Sequence, residues 1–300
     1  MSLADLVRAE LAVPVDPCVT TLAEAIAAKH GAASRAVLFY GSCLRERQLD
    51  GLMLDFYLIV SDYRAAYAKR WLATANRLIP PNVFPFEADG LVAKYAVLSE
   101  ADFHRLNGPE TRSVSVWARF AQPSRLAWSS DAAASNKAVA AIARAAPTLL
   151  GAAMPFVTAT GDELDLWRQA FALTYSAELR AERKARSTSV VDADPERYHA
   201  FTAPALAAAE SGTSGWGRRR IEGKALSVIR LAKASATYAG GVEYIVWKIN
   251  RHAGTKIELK PWQRNHPLLA AISLLPRLLR SGAVRRSVAT APTRPHLPAR

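Results

Sequence analysis

The chain has 300 residues, half of them hydrophobic, with 39 Lys and Arg against 26 Asp and Glu and a net charge of +13. That length supports a sizeable core in one or two domains. No uninterrupted apolar run approaches the ~18 residues that span a bilayer. The start carries Asp5 and Glu10 and no signal-peptide core. Two isolated cysteines, Cys18 and Cys43, fit neither a disulfide framework nor a zinc site, which points to a reducing cytosol. The charge is uneven. Residues 216–300 hold 17 Lys and Arg against Glu222, Glu243 and Glu258, a net +14, whereas the preceding 215 residues carry −1. The front reads as a near-neutral globular unit. The back reads as a basic device for polyanions: a membrane surface, nucleic acid, or phosphate-bearing substrates.

Taken in chain order, residues 4–30 read as two short helices split at Pro14 and Pro17, with Thr20-Thr21 as a cap before the second run. Residues 36–40 and 52–60 read as strands, with Asp62 ending the second. Residues 63–78 read as one helix closed before Pro80-Pro81. A third strand is expected over 91–98 and a fourth over 114–120, ended by Pro123. Helices follow over 136–146, 162–186 and 195–210, then a flexible joint at 211–215. Residues 218–250 are basic and mostly helical, with a break at Gly240-Gly241. Residues 272–286 form a short amphipathic piece, apolar with Arg277 and Arg280 spaced through it as in interfacial helices, and the end from 290 reads as disordered. The chain shows no internal repeat.

The chemistry concentrates in three short pieces: Tyr40-Gly41-Ser42, Leu54-Asp55-Phe56 and Lys94-Tyr95. A Gly-Ser turn leaving a strand lets backbone N–H groups and a hydroxyl reach a triphosphate. A carboxylate in the next strand can hold Mg²⁺ against the same phosphates. This is the general layout of polymerase-beta-type nucleotidyltransferases. The bland alternatives are an ordinary tight turn for Gly41-Ser42, an exposed strand position for Asp55 and a solvent-facing strand lysine for Lys94. Glu178 and Arg180 fall on the 162–186 helix with Glu182 and Lys184, where the alternative is a solvated helix face. Like charges at i,i+4 cost a little, which favours a purpose. Arg218, Arg219, Arg220, Lys224, Arg230 and Lys233 lie at helical spacings that suit a lipid-phosphate pocket or anionic headgroups, or else a solvated basic surface. Tyr244, Trp247 and Trp262 are interface anchors or core, and His252 and His266 are structural rather than metal ligands.

In order along the chain, these pieces resemble the mitochondrial-type phosphatidate cytidylyltransferases (CDP-diacylglycerol synthases of the translocator assembly and maintenance family), and more closely their bacterial relatives. Tyr40-Gly41-Ser42 resembles the family's Tyr-Gly-Ser-Gly, and Leu54-Asp55-Phe56 with Val60 and Asp62 its Leu-Asp-Phe strand and Val-Asp turn. Lys94-Tyr95-Ala96-Val97 is similar to its Lys-Tyr-Gly-Val. Arg119 with Gln122-Pro123 resembles an Arg-Leu-Gln-Lys-Pro segment, Asn136 stands where a helical Asn is expected, and residues 175–180 resemble a Ser-Tyr-x-Gly-Asp-x-Arg motif. The similarity covers roughly residues 35–250.

The resemblance implies CTP plus phosphatidic acid giving CDP-diacylglycerol and pyrophosphate with Mg²⁺. It also implies a helical second domain and peripheral attachment to the inner face of the cell membrane, in the cytoplasm. Cys43 replaces the family's second Gly, and Ala177-Glu178 replaces its Gly-Asp. The usual Asp-x-Asp pair is absent, since position 57 is Tyr and position 53 is Met, and Asp62 is about 23 Å along the strand on the opposite face. The second metal carboxylate is therefore expected from Glu178.

The expected architecture is α+β. A polymerase-beta-type mixed sheet occupies 1–130, a helical domain 131–215, a basic helical membrane- and phosphate-contact region 216–289, and a disordered tail 290–300. Asp55, Lys94 and Glu178 are the expected catalytic residues, with Asp55 and Glu178 on the metal. Tyr40, Gly41, Ser42 and Lys94 would bind the nucleotide, and Arg119, Arg180, Arg219, Arg220 and Lys224 the lipid phosphate. The expected partners are CTP, phosphatidic acid and an anionic membrane. Nucleic acid is disfavoured because the basic region lacks interleaved aromatic platforms. The oligomeric state is left open. The competing readings are a nucleotidyltransferase acting on RNA, protein or another phospholipid, and a non-catalytic anionic-membrane-binding relative.

Overall fold

A computed structural model describes residues 1–46, 53–88, 90–158, 161–178, 190–210 and 215–237. Residues 211–214 of the expected joint at 211–215 lie outside them. So do Arg180, the Gly240-Gly241 break, Tyr244, Trp247, Trp262, His252, His266, the amphipathic piece 272–286 and the tail.

Helix α1 (Leu3–Leu11) begins at a capping box between Ser2 and Asp5. Helix α2 (Pro17–Ala28) begins at Asp16, whose side chain accepts from Cys18 N, with Pro17 in the first turn. The cap is thus Asp16 rather than Thr20-Thr21, which lie inside the helix. Strand β1 (Ser34–Tyr40) leads through Gly41 into the short α3 (Ser42–Glu46), and β2 (Met53–Val60) follows. Asp62 then caps α4 (Tyr63–Ala66).

The expected single helix over 63–78 is two. Tyr67 is extended and buries its ring against His30 and Phe84, and α5 (Arg70–Leu78) starts afresh. Strand β3 (Asn82–Ala88) was not expected from the sequence, because Pro85 argues against a strand interior. It is tolerated because β3 is the sheet edge. Strand β4 (Leu91–Ser99) runs into α6 (Glu100–Leu106) through the Ser99 cap.

The expected strand over 114–120 is corrected. Val114 and Val116 are buried in a loop, α7 (Trp117–Phe120) is a single helical turn, and the fifth strand, β5 (Ser124–Ser129), begins after Pro123. A short continuous apolar run cannot be told from a buried helical turn by periodicity alone.

The helical half comprises α8 (Ala132–Ile142), α9 (Ala145–Ala153), α10 (Glu163–Ala177), α11 (Pro195–Ala207) and α12 (Trp216–Thr237). Asn136, on α8, accepts from Arg8 at 2.7 Å and so ties α8 to α1. By length and composition the stretch Ala132–Phe156 would suffice to cross a membrane, although most of it is buried in the fold, as in a core helix.

The fold is α+β, with a five-stranded mixed sheet in the order β3-β4-β2-β1-β5. Strands β2 and β4 are parallel and the other pairs antiparallel. The parallel pair requires a crossover, which α4, α5 and β3 supply. Alternation along β2 sorts its side chains. Leu54, Phe56, Leu58 and Val60 join one core with α2, Tyr63 and Ala73. Tyr57 and Ile59 join the other, with α1 and the helices from α6 to α11, up to Trp216. That second core runs without interruption from Val7 to Trp216, so the helical half closes directly onto the sheet.

A buried ion pair pins this closure. The Arg197 guanidinium on α11 pairs with the Glu10 carboxylate on α1, both side chains under 10% exposed. It also donates to Ala121 O at 3.0 Å, and Glu10 accepts from Ser124 N at 3.3 Å. Removing one partner of such a pair leaves an uncompensated charge. Glu10→Gln is expected to lower unfolding stability by about 3 kcal/mol in urea titrations. A variant as stable as the parent would contradict this role.

Candidate active site

The register of three strands assembles the centre of the site. Tyr40 lies opposite Asp55 across β1–β2, and Asp55 lies opposite Lys94 across β2–β4. Directly opposed residues share a face, so Tyr40, Asp55 and Lys94 form one row on the face that carries Tyr57. Lys94 Nζ stands 2.6 Å from Asp55 Oδ1, with the two side chains 27% and 19% exposed. Asp55 is therefore a partly buried carboxylate on the inner face rather than an exposed strand position.

Gly41 is required twice over. Its φ is +100°, in the region that favours glycine, and a Cβ there would stand 3.0 Å from Asp55 Oδ2. The turn thus lets Asp55 sit directly against the backbone at the end of β1. Ser42 follows as the first residue of α3. Cys43 points the other way, into the core shared with α2.

In front of the row lies a cavity of about 340 Å³ whose walls include Tyr40, Lys94, Arg119, Glu178, Arg230 and Lys233. That size suits a small-molecule site. Arg119 comes from α7 and donates to the Tyr40 hydroxyl at 2.9 Å, with its guanidinium 4.9 Å from the centre of the Tyr40 ring. Burial works against its charge, but Arg119 stays protonated, with the Glu178 and Asp55 carboxylates favouring the cation. Among the described residues its buried Nε has no hydrogen-bond partner. Tyr40, Tyr57 and Phe120 form an aromatic floor, with ring centres 5.1–6.1 Å apart. Burial pushes the Tyr40 and Tyr57 phenols well up, so neither is an anion near neutral pH.

Glu178 reaches the cavity because α10 ends earlier than expected. The helix stops at Ala177, and Glu178 takes extended backbone angles (φ −113°, ψ 156°). The expected continuation to residue 186, with its like-charged i,i+4 pairs, is not a helix at Glu178, and 179–189 lie outside the described residues. Helix α12 packs against this terminus at Gly223, where a side chain would collide with the Ala177 carbonyl.

The basic residues of α12 divide in a way the sequence did not reveal. Arg219, expected at a lipid phosphate, is buried. It donates to the carbonyls of Thr111 and Arg112 at 3.1 and 3.0 Å and lies near the Trp117 and Trp216 rings. Arg220 and Lys224 are exposed and do not line the cavity. Arg230 and Lys233, three residues apart, do line it. Arg230 donates to Pro80 O at 2.9 Å, Ser115 Oγ at 2.8 Å and Ser113 Oγ at 3.3 Å. Lys233 donates to Ile79 O and, at 2.8 Å, to Pro81 O. Burial, then repulsion from Arg230, pushes Lys233 down to about 7. The i,i+3 spacing was visible in the sequence. What picks these two out is the position of residues 79–81 beside them, set by the tertiary fold.

Asp55 and Glu178 offer hard oxygen donors of the kind Mg²⁺ takes. Both act electrostatically on Tyr57 and Arg119. Among the described residues no three His, Cys, Asp or Glu side chains gather as metal ligands. The donor set therefore fits a cation that takes its remaining ligands from substrate phosphates and water, as Mg²⁺ in phosphoryl-transfer sites commonly does. Asp62 plays no part here, since it caps α4 and stands 3.9 Å from Arg77. Comparison of the sequence with protein-family models and with curated proteins finds no match in either.

Two outcomes follow from this geometry. Gly41→Ala is expected to cost about 1–3 kcal/mol in stability, because it forces positive φ on a side chain and pushes Asp55 aside. Unchanged melting would contradict the close approach. Folding takes Lys233 from the ordinary lysine value of 10.5 to about 7, so between those values the unfolded state binds the extra proton. Stability contributed through this group then rises as pH increases from 7 toward 10. Urea titrations at pH 7 and 9 should show a smaller gain for Lys233→Met than for the parent. An identical gain would place Lys233 in water.

Proposed function

We propose that this chain is a nucleotidyltransferase of the polymerase-beta type, and that it transfers CMP from CTP to phosphatidic acid, giving CDP-diacylglycerol and pyrophosphate. The observation that carries the transferase reading is the Tyr40–Asp55–Lys94 row beside the Gly41-Ser42 turn, next to a cavity lined by four basic side chains, Lys94, Arg119, Arg230 and Lys233, and by the Glu178 carboxylate. Nothing but a strongly anionic ligand balances such a lining. The choice of CTP and phosphatidic acid rests on the motif resemblance.

In this mechanism the backbone N–H groups of the Gly41-Ser42 turn and the Ser42 hydroxyl hold the β- and γ-phosphates. Asp55 and Glu178 would hold Mg²⁺, which would supply charge neutralisation at the phosphates. An ionised phosphate oxygen of the lipid attacks the α-phosphorus of CTP in line. The bond to the bridging oxygen breaks, and pyrophosphate leaves with its electron pair. The acceptor needs no strong base because it is already an anion. Lys94 offsets the charge that grows on pyrophosphate, and Arg119 orients the acceptor. Its contact with Tyr40 keeps the guanidinium in place.

Attachment to the cytoplasmic face of an anionic membrane belongs to the same proposal. Exposed Trp71 and Leu78, seven apart on α5 and flanked by exposed Arg70 and Arg77, give it an apolar and basic surface among the described residues. A second reading, a non-catalytic binder of anionic ligands, is favoured by one observation. Asp55 is already paired with Lys94, and no third metal-ligating side chain joins Asp55 and Glu178 among the described residues.

Pyrophosphate release separates the two readings. The protein with CTP, Mg²⁺ and phosphatidic acid in mixed micelles is expected to release pyrophosphate only when all three are present, and not with ATP, GTP or UTP. Asp55→Asn should lower the rate by at least about 100-fold while the protein stays folded by near-UV circular dichroism. No release with any nucleotide would support the binding protein instead.

A further inference from the structure

The wall of the cavity built by α12 calls for an occupant of its own. Arg230 and Lys233 face Arg119 across the same space. Among the described residues, the hydrogen bonds of Arg230 and Lys233 go to neutral groups, namely the carbonyls of 79–81 and the hydroxyls of Ser113 and Ser115. Those contacts fix the positions of the two side chains without cancelling their charge. Arg119 likewise donates to a neutral phenol and keeps a buried Nε unsatisfied. Burial is the main influence against the charge of both; Glu178 favours the charge on Arg230, Arg119 disfavours it, and Arg230 disfavours that on Lys233. Among the described residues Glu178 is the one carboxylate that lines this cavity. Like charges held together at such a cost need an anion between them.

We propose that Arg119, Arg230 and Lys233, with the Ser115 hydroxyl, form a distinct site for a phosphate monoester, the acceptor of the transfer. This deepens the nucleotidyltransferase reading and rests on it for the word acceptor. Arg230 and Lys233 become binding residues for the acceptor. The polyphosphate of the nucleotide keeps the opposite side, at Gly41, Ser42, Asp55 and Lys94. A monoester phosphate carries close to two negative charges near neutral pH, and Arg119 from α7 with Arg230 and Lys233 from α12 line one cavity as cationic donors for its oxygens. The neighbouring lining of Pro81, Val83 and Ala96 is apolar, so the ester group leaves the phosphate along a surface that tolerates hydrocarbon.

The test uses the full chain with dioctanoyl phosphatidic acid, glycerol 3-phosphate and CTP as separate probes. Calorimetric titration without nucleotide is expected to show binding of the monoester that weakens roughly tenfold in Arg230→Gln, the loss of one charge-assisted contact, and stays the same in the exposed control Lys224→Ala. In turnover the same variant should raise KM for the acceptor and leave KM for CTP unchanged. Equal affinity for glycerol 3-phosphate would mark a soluble phosphate ester as the ligand, and binding of the dioctanoyl compound alone would mark a lipid. Both results support the site. Loss of CTP affinity with unchanged monoester affinity would overturn it, because the wall would then belong to the triphosphate.

Should Arg230→Gln fail to fold, acetylation of the parent protein decides the matter. The monoester should protect Lys233 from acetic anhydride, and CTP should not. Protection by CTP alone, or by neither, would overturn the proposal. Monoester binding that depends on Arg230 in a protein releasing no pyrophosphate would keep the site and remove the transferase reading. Turnover unaffected by Arg230→Gln would do the reverse.

Discussion

The contact between Lys94 and Asp55 across the parallel β2–β4 pair, 2.6 Å between charged atoms, organises the rest of the site. It requires that Asp55 face inward among aromatic side chains, which the two-residue period of β2 imposes. It also requires that the chain leave β1 without a side chain, because Asp55 Oδ2 occupies the space a Cβ at Gly41 would need. The tight turn and the carboxylate on the neighbouring strand are therefore one structural feature. An ion pair in partly buried surroundings resists screening more than a surface pair does. Anything that competes for Asp55 must offer charge of its own, as a cation bound together with a polyphosphate would.

Around that row the fold brings groups from distant parts of the chain. Arg119 arrives on a single turn of helix, Glu178 at the terminus of α10, and Arg230 and Lys233 on α12. Gly223 sets how closely α12 approaches α10, and the Glu10–Arg197 pair closes the helical layer onto the sheet. The strong positive balance of the last 85 residues is thus not simply a surface property. Part of it, at Arg219, Arg230 and Lys233, is turned inward, either to hold loops by their carbonyls or to charge the cavity. Arg220 and Lys224 remain outside, available to anionic surroundings.

How much of this was legible in the sequence follows from the range of each signal. Strands β1, β2 and β4 announce themselves by local apolar runs, and the Gly-Ser turn with a spaced Asp and a later Lys marks positions of which Gly41 and Lys94 each stand against Asp55 in the fold. Their common face depends on register, which no local pattern encodes. Strand β3 was hidden by Pro85, harmless only because β3 lies at the edge. The buried stretch around Trp117 read as a strand because an apolar run carries no period. Glu178 was placed on a helix face, whereas it matters because the helix has ended. Among the cations of α12, helical spacing named all the candidates and could not choose between them. Burial of Arg219 beside two tryptophans, and exposure of Arg220 and Lys224, are set by partners more than 100 residues away for Arg219.

The account stands or falls on the claim that the Tyr40–Asp55–Lys94 row is a metal–polyphosphate site. Manganese can replace magnesium at such oxygen sites and reports its own surroundings through the relaxation of water protons. The measurement is the enhancement of that relaxation when the protein is titrated into a Mn²⁺–CTP solution, for the parent, Asp55→Asn and Lys224→Ala. A saturable enhancement in the parent and in Lys224→Ala that vanishes in Asp55→Asn is the result predicted here. An enhancement that survives in Asp55→Asn, or none in the parent, would contradict it.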